Sequence, residues 1–183
     1  AEGLNRMTAA ATRLKSVIKS DPARLDIHSL LITVEIERAK VFINTKQPQQ
    51  AMASFQVAIN AGAAIHKAQP ADADNLFMLI RLLSSLGSQQ VKANQPQAAI
   101  GNYSLASERL DELIQQQPDR NQLLQILANN ETTIAKLAKE LDNLQDAISH
   151  QKLSVEARLK LAQKEPNNSQ LIIYLANSHM SLA

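Results

Sequence analysis

Pro22, Pro70, Pro118 and Pro166 fall 48 residues apart, and Pro48 and Pro96 form a second pair at the same interval. These six are all the prolines of the 183-residue chain. A proline inside a helix loses a backbone hydrogen bond and clashes with the preceding turn, so prolines mark where helices stop and start. Punctuation at a fixed interval predicts a stack of one repeated helical unit, which decides the fold class ahead of any local reading.

More than proline recurs in this frame. Ala10, Ala58 and Ala106 coincide, with Ser154 as the fourth copy, and Ala51, Ala99 and Ala147 coincide, followed by Met52, Ile100 and Ile148. Ala39, Gly87, Ala135 and Ala183 form another column, and Leu31, Leu79, Leu127 and Leu175 a fourth. Small residues at fixed places in successive helices predict that the helices approach closely there.

Each unit reads as two long helices. The first begins after the Pro22/70/118/166 turn, with Asp72, Asp119 and Ser169 as candidate N-caps and an apolar face such as Ile27, Leu30, Leu31 and Val34. It ends near Lys46, Asn94 and Asp142–Asn143, residues that tolerate a turn. The second opens on Pro48 or Pro96 and runs to about His66, Ile114 and Ala162, stopped by Gln69, Gln117 and Glu165 ahead of the next proline. The expected fold is all-α, an α–α superhelix (solenoid) of about seven to eight antiparallel helices. It is expected to form one domain over residues 1–183, with full units 22–69, 70–117 and 118–165 and half-units 1–21 and 166–183. The prolines rule out one uninterrupted coiled coil. A HEAT- or armadillo-type array, with its period of about 40–47 residues, is the rival.

These columns resemble the tetratricopeptide repeat over nearly the whole chain. The family's small–Ala–small spacing is matched by Ala39/Ala51/Ala58, Gly87/Ala99/Ala106 and Ala135/Ala147/Ser154. Its second-helix aromatic is met by Phe55 and Tyr103 and missed at Gln151; its first-helix Trp is replaced by Glu35, Leu83 and Glu131. The proline comes seven residues later than in the 34-residue family form, so the unit looks like a tetratricopeptide hairpin extended by about two turns per helix. Long repeats with punctuation like Lys164-Glu165-Pro166-Asn167-Asn168 occur in bacterial multidomain signalling proteins, beside kinase, cyclase or transcription-factor domains.

The resemblance implies a partner-binding face on the first helices. Carried over by spacing, its positions are Thr33, Ile36, Lys40, Ile43 and Asn44, then Arg81, Ser84, Ser88, Val91 and Lys92, then Asn129, Thr132, Lys136, Lys139 and Glu140. Five of these are basic and one is acidic, although Lys+Arg 19 against Asp+Glu 17 leaves the chain near neutral at +2. Lys40 and Asn44, one turn apart, suit a carboxylate. Some family members clamp a C-terminal carboxylate in this way, but their second Lys/Arg pair is not reproduced. The implied partner is therefore a protein or peptide, acidic or with a free carboxylate, received as a peptide or partner helix in a concave groove.

Other chemistries find no residues. His28, His66, His150 and His179 form no H-E-x-x-H set, and the pairs Glu35/Glu37 and Asp72/Asp74 lie on different helix faces. The Ala61-Gly62-Ala63-Ala64 cluster reads as a place of close helix crossing. With no Gly-rich phosphate loop, no nucleophile motif and no Cys, neither an enzyme nor a cofactor is expected. Aromatics at 3% and the balanced charge speak against nucleic acid, and no apolar stretch approaches the ~20 residues needed to span a bilayer. Absence of Cys leans toward a periplasmic rather than a cytoplasmic protein.

At the ends, Leu171, Ile172, Ile173, Tyr174 and Leu175 would lack a packing helix. That predicts a piece of a longer protein, or ends that pair with another copy. A docking scaffold is the expected function. The alternative is a regulatory or sensory segment of a larger bacterial signalling protein.

Overall fold

A computed structural model describes residues 2–166 and 168 of the chain. Its elements are seven helices: α1 (Glu2–Ser20), α2 (Leu25–Asn44), α3 (Pro48–Ala68), α4 (Ala73–Lys92), α5 (Pro96–Gln116), α6 (Asn121–Glu140) and α7 (Leu144–Lys164). The described residues contain no strand, so the fold is all-α. The bounds of α2, α4 and α6 repeat every 48 residues, and so do those of α3, α5 and α7. Ser169, Leu171–Leu175, His179 and Ala183 lie outside the described residues.

Local chemistry sets the ends. Pro48 and Pro96 occupy the first turns of α3 and α5, where a missing N–H costs nothing. Gln69, Gln117 and Glu165 are the C-caps that precede the next proline. Asp72 caps α4 by accepting from the Asp74 and Asn75 backbone N–H groups. Asp119 does not cap α6. The cap is Arg120, without a side-chain bond, and Asp119 sits one residue back in the turn, its carbonyl accepting from Asn121 N at 3.0 Å.

The first-type helices, α2, α4 and α6, are followed by Lys46, Asn94 and Asp142, with φ of 57°, 56° and 58°. Around Lys46 and Asp142 the closing bonds form a full left-handed cap. Gln47 N donates to Phe42 O (2.8 Å) and Lys46 N to Ile43 O (3.1 Å), while Asn143 N donates to Ala138 O (2.9 Å) and Asp142 N to Lys139 O (3.1 Å).

The chain divides into two compact units between Ala93 and Asn94. In the first, α1 packs on α2, α2 on α3 and α3 on α4. Ile32 of α2 and Leu79 of α4 both come within 4 Å of the position a Gly62 Cβ would take, so α2 and α4 meet over the middle of α3. Extensive contact between α1 and α4, which a closed four-helix bundle would require, is missing among the described residues. Ala39, Ala51 and Ala58 are completely buried at the α2–α3 crossing, where an alanine lets the axes approach. Within the Ala61–Ala64 cluster, Ala61 and Gly62 are buried but Ala63 is exposed. A Cβ on Gly62 would make only ordinary contacts, 3.5 Å at the nearest. Close crossing there needs a small residue, not glycine itself.

In the second unit α6 packs on α5 and on α7. The α6–α7 partners run in opposite order, Asn121 with Glu165, Ala128 with Ser154, and Glu131 with His150. Lys164 Nζ closes the far end by donating to Pro118 O (2.8 Å). Asn121 and Asn168 both donate to the Glu165 carboxylate, and these bonds hold it below its ordinary pKa. Leu30, expected on the apolar face of α2, is 53% exposed. The buried stripe of α2 runs instead through His28, Leu31, Ile32, Glu35, Ala39 and Phe42.

Candidate functional site

The positions expected to face a partner do not share one environment. On α2, Lys40 and Asn44 are exposed, as is Thr33, whose hydroxyl donates back to Ser29 O (3.1 Å). Lys40 is already engaged: its Nζ lies 2.6 Å from Glu37 Oε1 on the same helix, which compensates its charge. Ile36 and Ile43 are half-buried. On α4, Arg81 and Lys92 are exposed, Val91 is 40% exposed, and Ser84 and Ser88 are half-buried. The Ser84 Oγ is buried without a partner. Lys40 and Asn44 thus lie on the exposed side of α2, and Arg81 and Lys92 on that of α4.

In the second unit Asn129, Lys136, Lys139 and Glu140 of α6 are exposed, and Asn129 Oδ1 accepts from Gln125 Nε2 (3.1 Å). Thr132 does not belong with them. Its hydroxyl turns into the α6–α7 seam, 2.9 Å from Ala128 O and 2.8 Å from the fully buried Ser154 Oγ. Arg158 then donates to both hydroxyls, at 2.8 Å to Ser154 and 3.1 Å to Thr132. The cause is Ser154 itself, a polar residue in a column that Ala58 and Ala106 otherwise fill. A buried hydroxyl there must be satisfied: Ser154 donates to Ala128 O (2.9 Å) and accepts from Arg158, with the Thr132 hydroxyl beside it.

Sequence reasoning missed two buried carboxylates. Glu35 is completely buried, with Arg38 Nη1 donating to both oxygens (2.9 and 2.7 Å) and Lys15 Nζ of α1 3.2 Å from Oε1. Arg38 also lies over the Phe42 ring, 5.7 Å from its centre. Glu131 is 3% exposed and pairs with His150 Nδ1 of α7 at 2.7 Å. Both stand where the resembling family carries its first-helix Trp. The available signal was a Glu in the same column as buried Leu83, since a carboxylate on a buried column demands a cation. Near Glu131, partial burial lifts the Asp111 carboxyl above its ordinary range, the Glu131 charge adds to the effect, and Lys160 opposes it.

These groups hold helices together and leave no vacant metal set. No three or more His, Cys, Asp or Glu among the described residues are gathered as a metal ion would need. No described helix is long and apolar enough to cross a membrane. What the outward faces can do chemically is limited to charge and hydrogen-bond complementarity. Arg81, Lys92, Lys136 and Lys139 are exposed and have no ion-pair partner among the described residues.

No protein-family model matches the chain, and no curated protein does. Solved structures do align with it. MamA is similar over 95% of this chain and 87% of its own, at 14% identity and a TM-score of 0.36. The designed helical repeat protein DHR64 is similar over 99% and 95%, at 11% identity and a TM-score of 0.47. The DHF119 filament protein is similar over 99% and 92%, at 13% identity and a TM-score of 0.42.

Proposed function

We propose that the chain is a non-catalytic docking module whose first-type helices receive an acidic segment of another protein. The observation that carries this reading is the set of uncompensated cations on those helices, Arg81 and Lys92 on α4 and Lys136 and Lys139 on α6. Several other cations are answered locally: Arg6 by Glu2, Arg24 by Asp26, Lys40 by Glu37 and Arg109 by Glu112. An exposed cation with a carboxylate beside it adds little field. Cations without one set the potential that an approaching anionic partner feels.

Half-buried Ser88, one turn before Lys92, adds a hydroxyl that can donate to a carboxylate. Lys40 and Asn44 contribute less than spacing suggested, because Glu37 competes for the ammonium group. Thr132, committed to Ser154 and Arg158, contributes nothing to such a face.

The test is fluorescence anisotropy with a labelled peptide rich in Asp and Glu and ending in a free carboxylate, titrated at low and moderate salt. Arg81→Glu with Lys92→Glu, and separately Lys136→Glu with Lys139→Glu, should each weaken binding by roughly tenfold or more while helicity by circular dichroism is unchanged. Affinity equal to that of the parent protein in both variants overturns the reading.

A further inference from the structure

A groove of about 470 Å³ lies between α1 and α3, lined also by His28 and Leu31 of α2. It draws on the second-type helices α1 and α3, not on the outward face of α2 and α4. Ile18, Leu31 and Val57 supply apolar surface, and Lys15, Lys19 and Asn60 supply the polar lining. We infer that this groove binds a small apolar molecule ending in a carboxylate.

The 48-residue frame itself singles the place out. At the His28 register the other copies carry Leu76 and Leu124, 0% and 5% exposed, so His28 is a polar side chain in a leucine column. It is as buried as they are, at 6%. Its Nε2 donates to Pro22 O at 3.1 Å, which a carbonyl can only accept, and its Nδ1 is buried with no partner. In the second unit the same registers are closed by apolar contact: Ile114, which matches Ile18, packs on Leu124 and Leu161. Leucine packs in that copy where His28 lines the groove in this one.

Charge at two of the lining registers is likewise particular to the first copy. Lys15 stands where the other copies have Ala63, Asp111 and Leu159, and Asn60 where they have Glu108 and Glu156. At the Lys19 register the second copy also carries a cation, Lys67, but there Glu108 stands in place of Asn60. Lys19 is exposed at the end of α1. Lys15 lies against Glu35, but Arg38 grips both oxygens of that carboxylate, so Lys15 can turn to a ligand without leaving Glu35 unpaired. Two ammonium groups thus meet an anionic head. The volume is that of a small-molecule site, which runs roughly 300–1,000 Å³. A helix, at about 10 Å across, would not fit over two turns. That favours one apolar chain with a charged end.

The experiment follows the methyl resonances of Ile18, Leu31 and Val57 in the 183-residue protein during titration with octanoate, octanol and octyltrimethylammonium. Octanoate should shift them saturably, with octanol at least roughly tenfold weaker and the cationic amphiphile inactive. His28→Leu, which copies the other repeats, should remove the saturable shift, and the surface change Lys19→Glu should weaken it by roughly tenfold. Arg81→Glu, on α4 and away from the groove, should leave it unchanged, so this site and the docking face fail or stand separately. Equal response to octanoate and octanol overturns the inference. So does a saturable octanoate shift retained by His28→Leu and Lys19→Glu, or the absence of any saturable shift in the parent protein.

Discussion

Glu35, Leu83 and Glu131 share one register, and what fills it governs the surrounding chemistry. Leucine needs only contact. A buried carboxylate needs a hydrogen-bonding or charged partner, and the two that occur recruit different ones, Arg38 with Lys15 in the first unit and His150 Nδ1 in the second. Such pairs are strongly destabilising to break and close to neutral to replace whole by apolar residues, so they fix partners more than they add stability. Asp111 feels the second of them. Its folded-state pKa is raised, first by burial and then by the Glu131 charge, so the fold prefers it protonated and disfavours it once ionised. Stability from this group is complete below the ordinary carboxylate value of 3.8 and is lost as pH rises through the raised pKa. Asp111→Asn removes that loss. Thermal melts should show the variant more stable than the parent at pH 7, with the difference shrinking on acidification and gone near pH 3. A difference that does not grow with pH would contradict the assigned cause.

Helix ends follow from short-range rules, which is why they were legible. Proline at a first helical position and a left-handed residue after α2, α4 and α6 act within a few residues, without help from the fold. The third copy lacks one of these devices. Leu144 opens α7 at the register of Pro48 and Pro96, is 60% exposed, and occupies a position whose N–H has no partner within its own helix. The residue before it, Asn143, has φ −91° and ψ 74°, close to the −114° and 70° of Gln47 that precedes Pro48. Leu144→Pro should therefore stabilise the protein by about 0.4–1 kcal/mol by restricting the unfolded chain. Urea denaturation measures it, and a lower midpoint refutes the equivalence of the three copies. Where sequence reading failed, longer-range contacts decided. Asp119 lost the cap of α6 by one residue, Leu30 fell outside the buried stripe, and Thr132 was drawn inward by Ser154 and Arg158, 22 and 26 residues away. Glu37 reduced the value of Lys40 as a carboxylate ligand, and the His28 groove shows only when the chain is folded. The face was legible as a list of registers, but which of them stay available was set by neighbours that spacing does not reveal.

Across the molecule, packing passes from each helix to the next in sequence: α1 to α2 to α3 to α4 in one unit, and α5 to α6 to α7 in the other. Contacts of this kind make stability a sum of local terms joined by nearest-neighbour interfaces, so damage should stay close to where it is inflicted. Ala58 is the place to inflict it. It is completely buried at the α2–α3 crossing, and Leu in its place forces the two backbones apart, at a cost of about 1–3 kcal/mol. Native-state hydrogen exchange of the Ala58→Leu protein should show amides of α2 and α3 losing the most protection and those of α1 and α4 somewhat less. Amides of α6 and α7, held together by the Glu131–His150 pair, the Thr132–Ser154–Arg158 cluster and the Lys164–Pro118 bond, should change little. A uniform loss over all seven helices would mean that the chain opens as one cooperative body. The repeat would then describe its sequence and geometry but not its energetics.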